Sequence, residues 1–125
     1  MSVTVADKVR AVETYIAAYV AGDLDGVVSI FADDATVEDP VGTTPLVGKV
    51  AIRDFMAAGI AMGARLALLG SIRCAGDHAA FPFAVTLMHE GRETRIEVID
   101  VFTFDAAGRV CAMQAFFGPD NIGAG

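Results

Sequence analysis

Hydrophobic positions recur at helical spacing through the first half of the chain and alternate at strand spacing through the second. Val5, Val9, Val12, Ile16, Tyr19 and Val20 form one helical stripe, and Gly22 is a natural stop. Asp23 is placed to cap a short second helix carrying Leu24, Val27, Val28 and Phe31 on its apolar side. Residues 35–38 leave room for one short strand, ended by Pro40. A third helix fits 50–62, with Ile52, Phe55, Met56 and Ile60 as its buried set.

Beyond that helix the period changes to two. Residues 65–74, 79–90, 93–104 and 109–117 are strand-like runs, and the breaks between them, AGDH, EGR and DAAG, are turn chemistry. The pattern predicts a meander of antiparallel strands. Three helices followed by such a sheet make an α+β fold, with the helices covering the concave face of a curved, mainly antiparallel sheet. No repeat, linker or low-complexity tract interrupts residues 1–125, so the expectation is one domain with one core.

Composition adds a cavity to this picture. The chain is 54% hydrophobic with a mean hydropathy of +0.54, unusually apolar for a soluble protein. Its longest uncharged runs, such as 55–64 and 79–88, are ten residues, well short of the roughly 18–20 that a helix needs to cross a bilayer. Asp7, Lys8, Arg10 and Glu13 break up the N-terminal segment, which therefore lacks a signal peptide's apolar stretch. The excess apolar surface is expected to line an internal pocket, a subunit interface, or both. A net charge of −7 with scattered basic residues argues against nucleic acid and anionic membranes. Cys74 and Cys111 have neither CxxC spacing nor a histidine cluster, and read as reduced core residues of a cytoplasmic protein, with no metal site expected. His78 and His89 fall at turns or strand ends, where a solvated role is expected.

One charge lies on the wrong face. Along RIEVIDVFTF, Ile96, Val98, Asp100, Phe102 and Phe104 share one side, so Asp100 sits on the wholly apolar face that should meet the helices. No basic residue of that strand shares the face, and the usual outcome is a raised pKa that keeps the acid neutral. The alternative is a structural acid satisfied by a backbone amide or by an arginine from another element. Tyr15 belongs by spacing with Val12, Ile16 and Tyr19; it is either an ordinary core tyrosine or a phenol whose hydroxyl faces a pocket. Asp39, held before Pro40 in the acidic stretch FADDATVEDPVG, is either a common loop aspartate or an ionised base. Asp33 and Asp34 fit a solvated turn, and Glu38, adjacent to Asp39, should point the opposite way. A base, a neutral acid and a phenol around an apolar hollow suffice to move a proton beside a carbonyl while two donors stabilise the enolate.

These residues closely resemble the bacterial ketosteroid isomerases, of the nuclear-transport-factor-2-like (SnoaL-like) superfamily. The resemblance runs from the first helix to the tail GPDNIGAG and is carried by AGDLDGVVSIFADDATVEDPVG, VIDVF and FDAAGRVCAMQAFFG. The family is a recognised case of a carboxylic acid kept neutral by apolar surroundings. The resemblance implies Asp39 as general base, at an ordinary carboxylate pKa, and Tyr15 and protonated Asp100 as oxyanion-hole donors. It implies isomerisation of 3-oxo-Δ5 steroids to 3-oxo-Δ4 steroids without a cofactor, in a homodimer paired through its sheets, with Ile99 and Val101 as apolar outer positions. The steroid is expected to rest on Val20, Phe55 and Met56 from the helices, on Phe81, Phe83 and Val85 from one strand, on Val98 beside Asp100, and on Met113, Ala115 and Phe117 from the last strand. Many relatives carry tyrosines that support the oxyanion tyrosine where this chain has Phe31 and Met56, which implies a less polarised Tyr15.

Three rivals share the fold. A partner-binding module would expose its apolar surface and would not need a buried Asp100. A non-catalytic steroid or lipid carrier would have no use for a rigidly placed Asp39. A related enzyme, an epoxide hydrolase or a polyketide cyclase, is the third; an epoxide hydrolase of this shape would want an arginine beside its aspartates, where Asp100 has Val98 and Phe102.

Overall fold

Thr4 starts the first helix with a reciprocal cap. In the computed structural model, which describes residues 3–125, the Asp7 N–H donates to the Thr4 hydroxyl at 3.0 Å and the Thr4 N–H to the Asp7 carboxylate. Helix α1 (Val5–Ala21) ends at Gly22, whose φ of 70° is the left-handed geometry that favours glycine. Its buried stripe is Lys8, Val12, Tyr15, Ala18 and Tyr19. Lys8 is buried because its ammonium donates to the Gly76 carbonyl at 2.6 Å, which ties α1 to a hairpin turn. Asp23 caps α2 (Leu24–Val28) by accepting from the Gly26 N–H.

Phe31 does not extend α2. It opens strand β1 (Phe31–Glu38), which is longer than expected because pairing with both β2 (Leu46–Val47) and β7 (Val110–Phe116) satisfies its backbone. The β1–β7 pairing is parallel, whereas the meander predicted from turn chemistry is antiparallel; the other named strands pair antiparallel. Helix α3 (Lys49–Ala61) buries Ile52 and Met56, a narrower set than expected, with Phe55 38% exposed and Ile60 partly covered.

The run 65–74 is two strands, β3 (Arg65–Leu68) and β4 (Arg73–Ala75), both paired with β5 (His78–His89). The break falls opposite Pro82, which has no N–H to give to the ladder. Gly70 lies across from it, where an added Cβ would come within 3.2 Å of the proline ring. Strand β6 (Arg92–Phe104) completes the long hairpin, and β8 (Ile122–Ala124) adds to its edge. The sheet order is β2-β1-β7-β6-β5-β3, and the helices cover one face of it. On β6 the expected alternation holds: Val98, Asp100, Phe102 and Phe104 are buried, and Ile99 between them is 50% exposed. Tyr15 and Phe81 meet the Phe102 ring edge-on at 5.4 and 5.0 Å, so α1, β5 and β6 lock together at one aromatic centre. No described helix is long and apolar enough to cross a membrane.

Candidate active site

A cavity of about 300 Å³ opens beside that aromatic centre, between α1, α3 and the concave face. Its polar side chains are Tyr15, Tyr19, Asp39 and Asp100; the rest of its wall is apolar or glycine. The three residues that the sequence singled out for chemistry therefore meet in one place, although they come from α1, from the end of β1 and from the middle of β6.

Each is aimed there by local structure. Tyr15 lies on the buried stripe of α1. Asp100 projects from β6 between Phe81 of β5 and Ala115 of β7, and the small Ala115 leaves it room. Asp39 follows the last residue of β1 at a cis peptide bond to Pro40. Glu38 turns the other way, as alternation requires, and accepts from the Gly42 N–H at 3.0 Å. Asp33 and Asp34 are exposed, and Asp33 lies 3.7 Å from the Lys49 ammonium.

The environment separates the acids. Asp100 is 1% exposed, and neither of its carboxyl oxygens has a hydrogen-bond partner among the described residues. The structural alternative, an acid satisfied by an amide or an arginine, is thus not what the fold holds. Burial pushes the Asp100 pKa well above its ordinary value, and the charge of Asp39 pushes it further, so both causes favour the protonated acid. Asp39 is half-buried, and burial raises its pKa to about 6. This corrects the expectation of an ordinary carboxylate pKa: the surrounding apolar wall reaches Asp39 too, yet it remains mostly ionised at neutral pH and poised near it. Burial first, then the charge of Asp100, raises the Tyr15 phenol well above its usual range. Tyr19 is pushed up to about 12, again by burial first and then by Asp39. Both phenols are donors at neutral pH.

Five of the expected wall residues, Phe55, Phe83, Val85, Val98 and Phe117, line the cavity. The other five do not. Val20 is 41% exposed, because the helix turns it about 100° away from Tyr19. Met56, Phe81, Met113 and Ala115 lie beneath the floor as core: Phe81 stacks on Phe83 at 5.3 Å, Met113 is registered against Val37, and the Met56 sulfur receives the Tyr15 hydroxyl. Sequence reasoning missed Tyr19, Gly59, Met62, Leu66, Leu87 and Ile96, which also line it. Periodicity would have found several: Tyr19 is one turn from Tyr15, Leu87 is two residues from Val85, and Ile96 two from Val98.

A model of the SnoaL-like domain matches residues 12–113. A steroid Delta-isomerase from Nocardioides simplex is 38% identical over 113 residues, covering 90% of each chain. An epoxide hydrolase, LasB, from Streptomyces lasalocidi is 33% identical over 104 residues, which are 78% of this chain and 36% of that protein. Among solved structures, the epoxide hydrolase/cyclase-like enzyme SalBIII, associated with pyran ring formation in the polyether salinomycin, superposes with a TM-score of 0.90 at 25% identity, covering 96% of this chain and 97% of its own.

Proposed function

The chain belongs to the SnoaL-like domain family, and from that premise we propose that it is a steroid Δ-isomerase converting 3-oxo-Δ5 steroids into their conjugated 3-oxo-Δ4 isomers. The observation that carries this reading is that Asp39, Asp100 and Tyr15 line one apolar cavity, with Asp100 1% exposed and both of its carboxyl oxygens unpartnered among the described residues.

Asp39 takes a proton from the carbon between the carbonyl and the double bond. The C–H electrons form a new C=C bond, the carbonyl π electrons move to oxygen, and a dienolate results. The Tyr15 hydroxyl and the Asp100 carboxylic acid donate to that oxygen, where water is excluded and each donor is worth about 10²–10³ in rate. Protonated Asp39 then returns the proton two carbons further on and regains its charge. The proton leaves and re-enters the same molecule, so no external reductant or oxidant is consumed.

The epoxide-hydrolase relatives support the fold and leave this chemistry favoured, because no arginine lines the cavity among the described residues. We also place a second copy of the chain on the outer face of the sheet, where Ile99 (50% exposed) is registered beside Phe116 (44% exposed).

The test is ultraviolet absorbance, which rises as an isolated enone becomes conjugated. A 3-oxo-Δ5 steroid should give that rise with wild type and lose it with Asp39→Asn. Tight binding by wild type without any rise would make the protein a carrier instead.

A further inference from the structure

Gly59 sits in the interior of α3, two residues before its end, at a position where glycine weakens a helix relative to alanine. Its backbone needs no left-handed geometry, since it is absent from the positive-φ glycines. The reason for glycine lies across the cavity. A Cβ at residue 59 would overlap the Tyr19 hydroxyl oxygen and approach the ring carbon that bears it to 3.1 Å. Side chains at residue 59 and a phenol at residue 19 are therefore mutually exclusive in this geometry.

The phenol held there is itself a wall of the site. Tyr19 is 7% exposed and lines the cavity together with Gly59, Phe55 and Ala58. Its hydroxyl reaches back to the Met56 carbonyl at 3.4 Å, and its ring packs edge-on against Tyr15 at 5.7 Å. The α1 backbone and Tyr15 hold two of its sides, and the cavity is the open space beside it. Anything that pushes the hydroxyl off α3 drives the ring into the volume a ligand would occupy, next to Tyr15 and Asp39.

We propose that Tyr19 and Gly59 are a matched specificity-determining pair: the glycine notch lets the phenol lie flat along α3, and the phenol so held leaves a slot for flat, fused-ring 3-oxo ligands while excluding those with bulky groups on the α3 side. The proposal rests on the isomerase reading for its ligand class and goes beyond it in assigning these two residues.

The experiment measures binding of a 3-oxo-Δ4 steroid, the product of the proposed reaction, to wild type, G59A, Y19F and the double variant Y19F/G59A. G59A should weaken binding roughly tenfold. Y19F removes the overlapping oxygen and leaves only the 3.1 Å approach to the ring, so the double variant should recover most of the binding that G59A loses. Unweakened binding by G59A, or a double variant as weak as G59A alone, overturns the pair. If wild type binds no steroid, the isomerase reading falls on that result, and thermal unfolding decides the lock. G59A should destabilise the wild-type background clearly more than the Y19F background, where only the 3.1 Å approach to the ring is left to relax. Equal destabilisation in both backgrounds overturns the lock.

Discussion

The Tyr15 hydroxyl donates to the sulfur of Met56 at 3.8 Å. A thioether is a weak acceptor and has no proton to give. It therefore orients the phenol without polarising it, and a carbonyl oxygen of developing charge would displace it at little cost. Phe31 meets the Tyr15 ring edge-on, at 6.4 Å between centroids, and offers no hydroxyl. Introducing a donor should change this. Met56→Tyr is expected to lower the Tyr15 phenol pKa and raise kcat by roughly fivefold, the value of one added hydrogen bond of about 1 kcal/mol. Ultraviolet titration of tyrosinate checks it, and an unmoved phenol transition would show that residue 56 does not govern Tyr15.

Asp39 should set the acid limb of the rate profile. The base works only when ionised, so kcat/KM should fall about tenfold per pH unit below its pKa of about 6 and flatten above it. Asp39→Asn is expected to lose about 10²–10⁴ in kcat while still binding the product steroid. A profile that stays flat through the transition would assign the proton transfer to another group.

The outer sheet face carries a separate expectation. Ile99→Glu places a charge among Val101, Phe116 and their neighbours, so a sheet-to-sheet dimer should weaken by on the order of 2 kcal/mol, a roughly thirtyfold higher dissociation constant. Light scattering across a dilution series measures it. An unchanged mass at every concentration would place the subunit contact elsewhere, or show the protein to be a monomer.

Legibility followed locality. Asp100 was readable because the alternation along β6 is complete from Ile96 to Phe104, so its face needed no knowledge of any other element. The parallel β1–β7 pairing joins residues far apart in sequence, and no turn between them announces it. Tyr19 shows a different limit. Core and cavity wall are both faces turned from water, so helical spacing places Tyr19 on the buried stripe without saying that a hollow lies in front of it. The same stripe points Val20 inward, but adjacent helical residues diverge too far for both to face the cavity. The raised pKa of Asp39 arises from burial by elements that β1 meets only in the folded chain. Sequence spacing supplies the acid, and the tertiary fold supplies its affinity for the proton.

Asp100 should make the protein less stable as pH rises. Burial lifts its native pKa above the unfolded value near 3.8, so the folded state holds the proton more tightly than the unfolded chain does. Below that value both states are protonated and the group makes no pH-dependent difference. Above it the unfolded chain ionises first, and stability falls by about 1.4 kcal/mol per pH unit until the native acid also ionises. Asp39 adds a second fall with the same sign, confined to the window between 3.8 and about 6. Asp100→Asn is neutral at every pH and removes the Asp100 contribution. The variant should therefore unfold at a higher temperature than wild type near neutral pH, by several degrees, with the gap closing as pH falls toward the unfolded value. Its amide is a weaker donor than a carboxylic acid, so kcat should drop on the order of tenfold while stability rises. Thermal unfolding of both proteins across pH separates these effects. Parallel curves would mean that Asp100 keeps no abnormal proton in the folded state, and would remove it from the oxyanion hole.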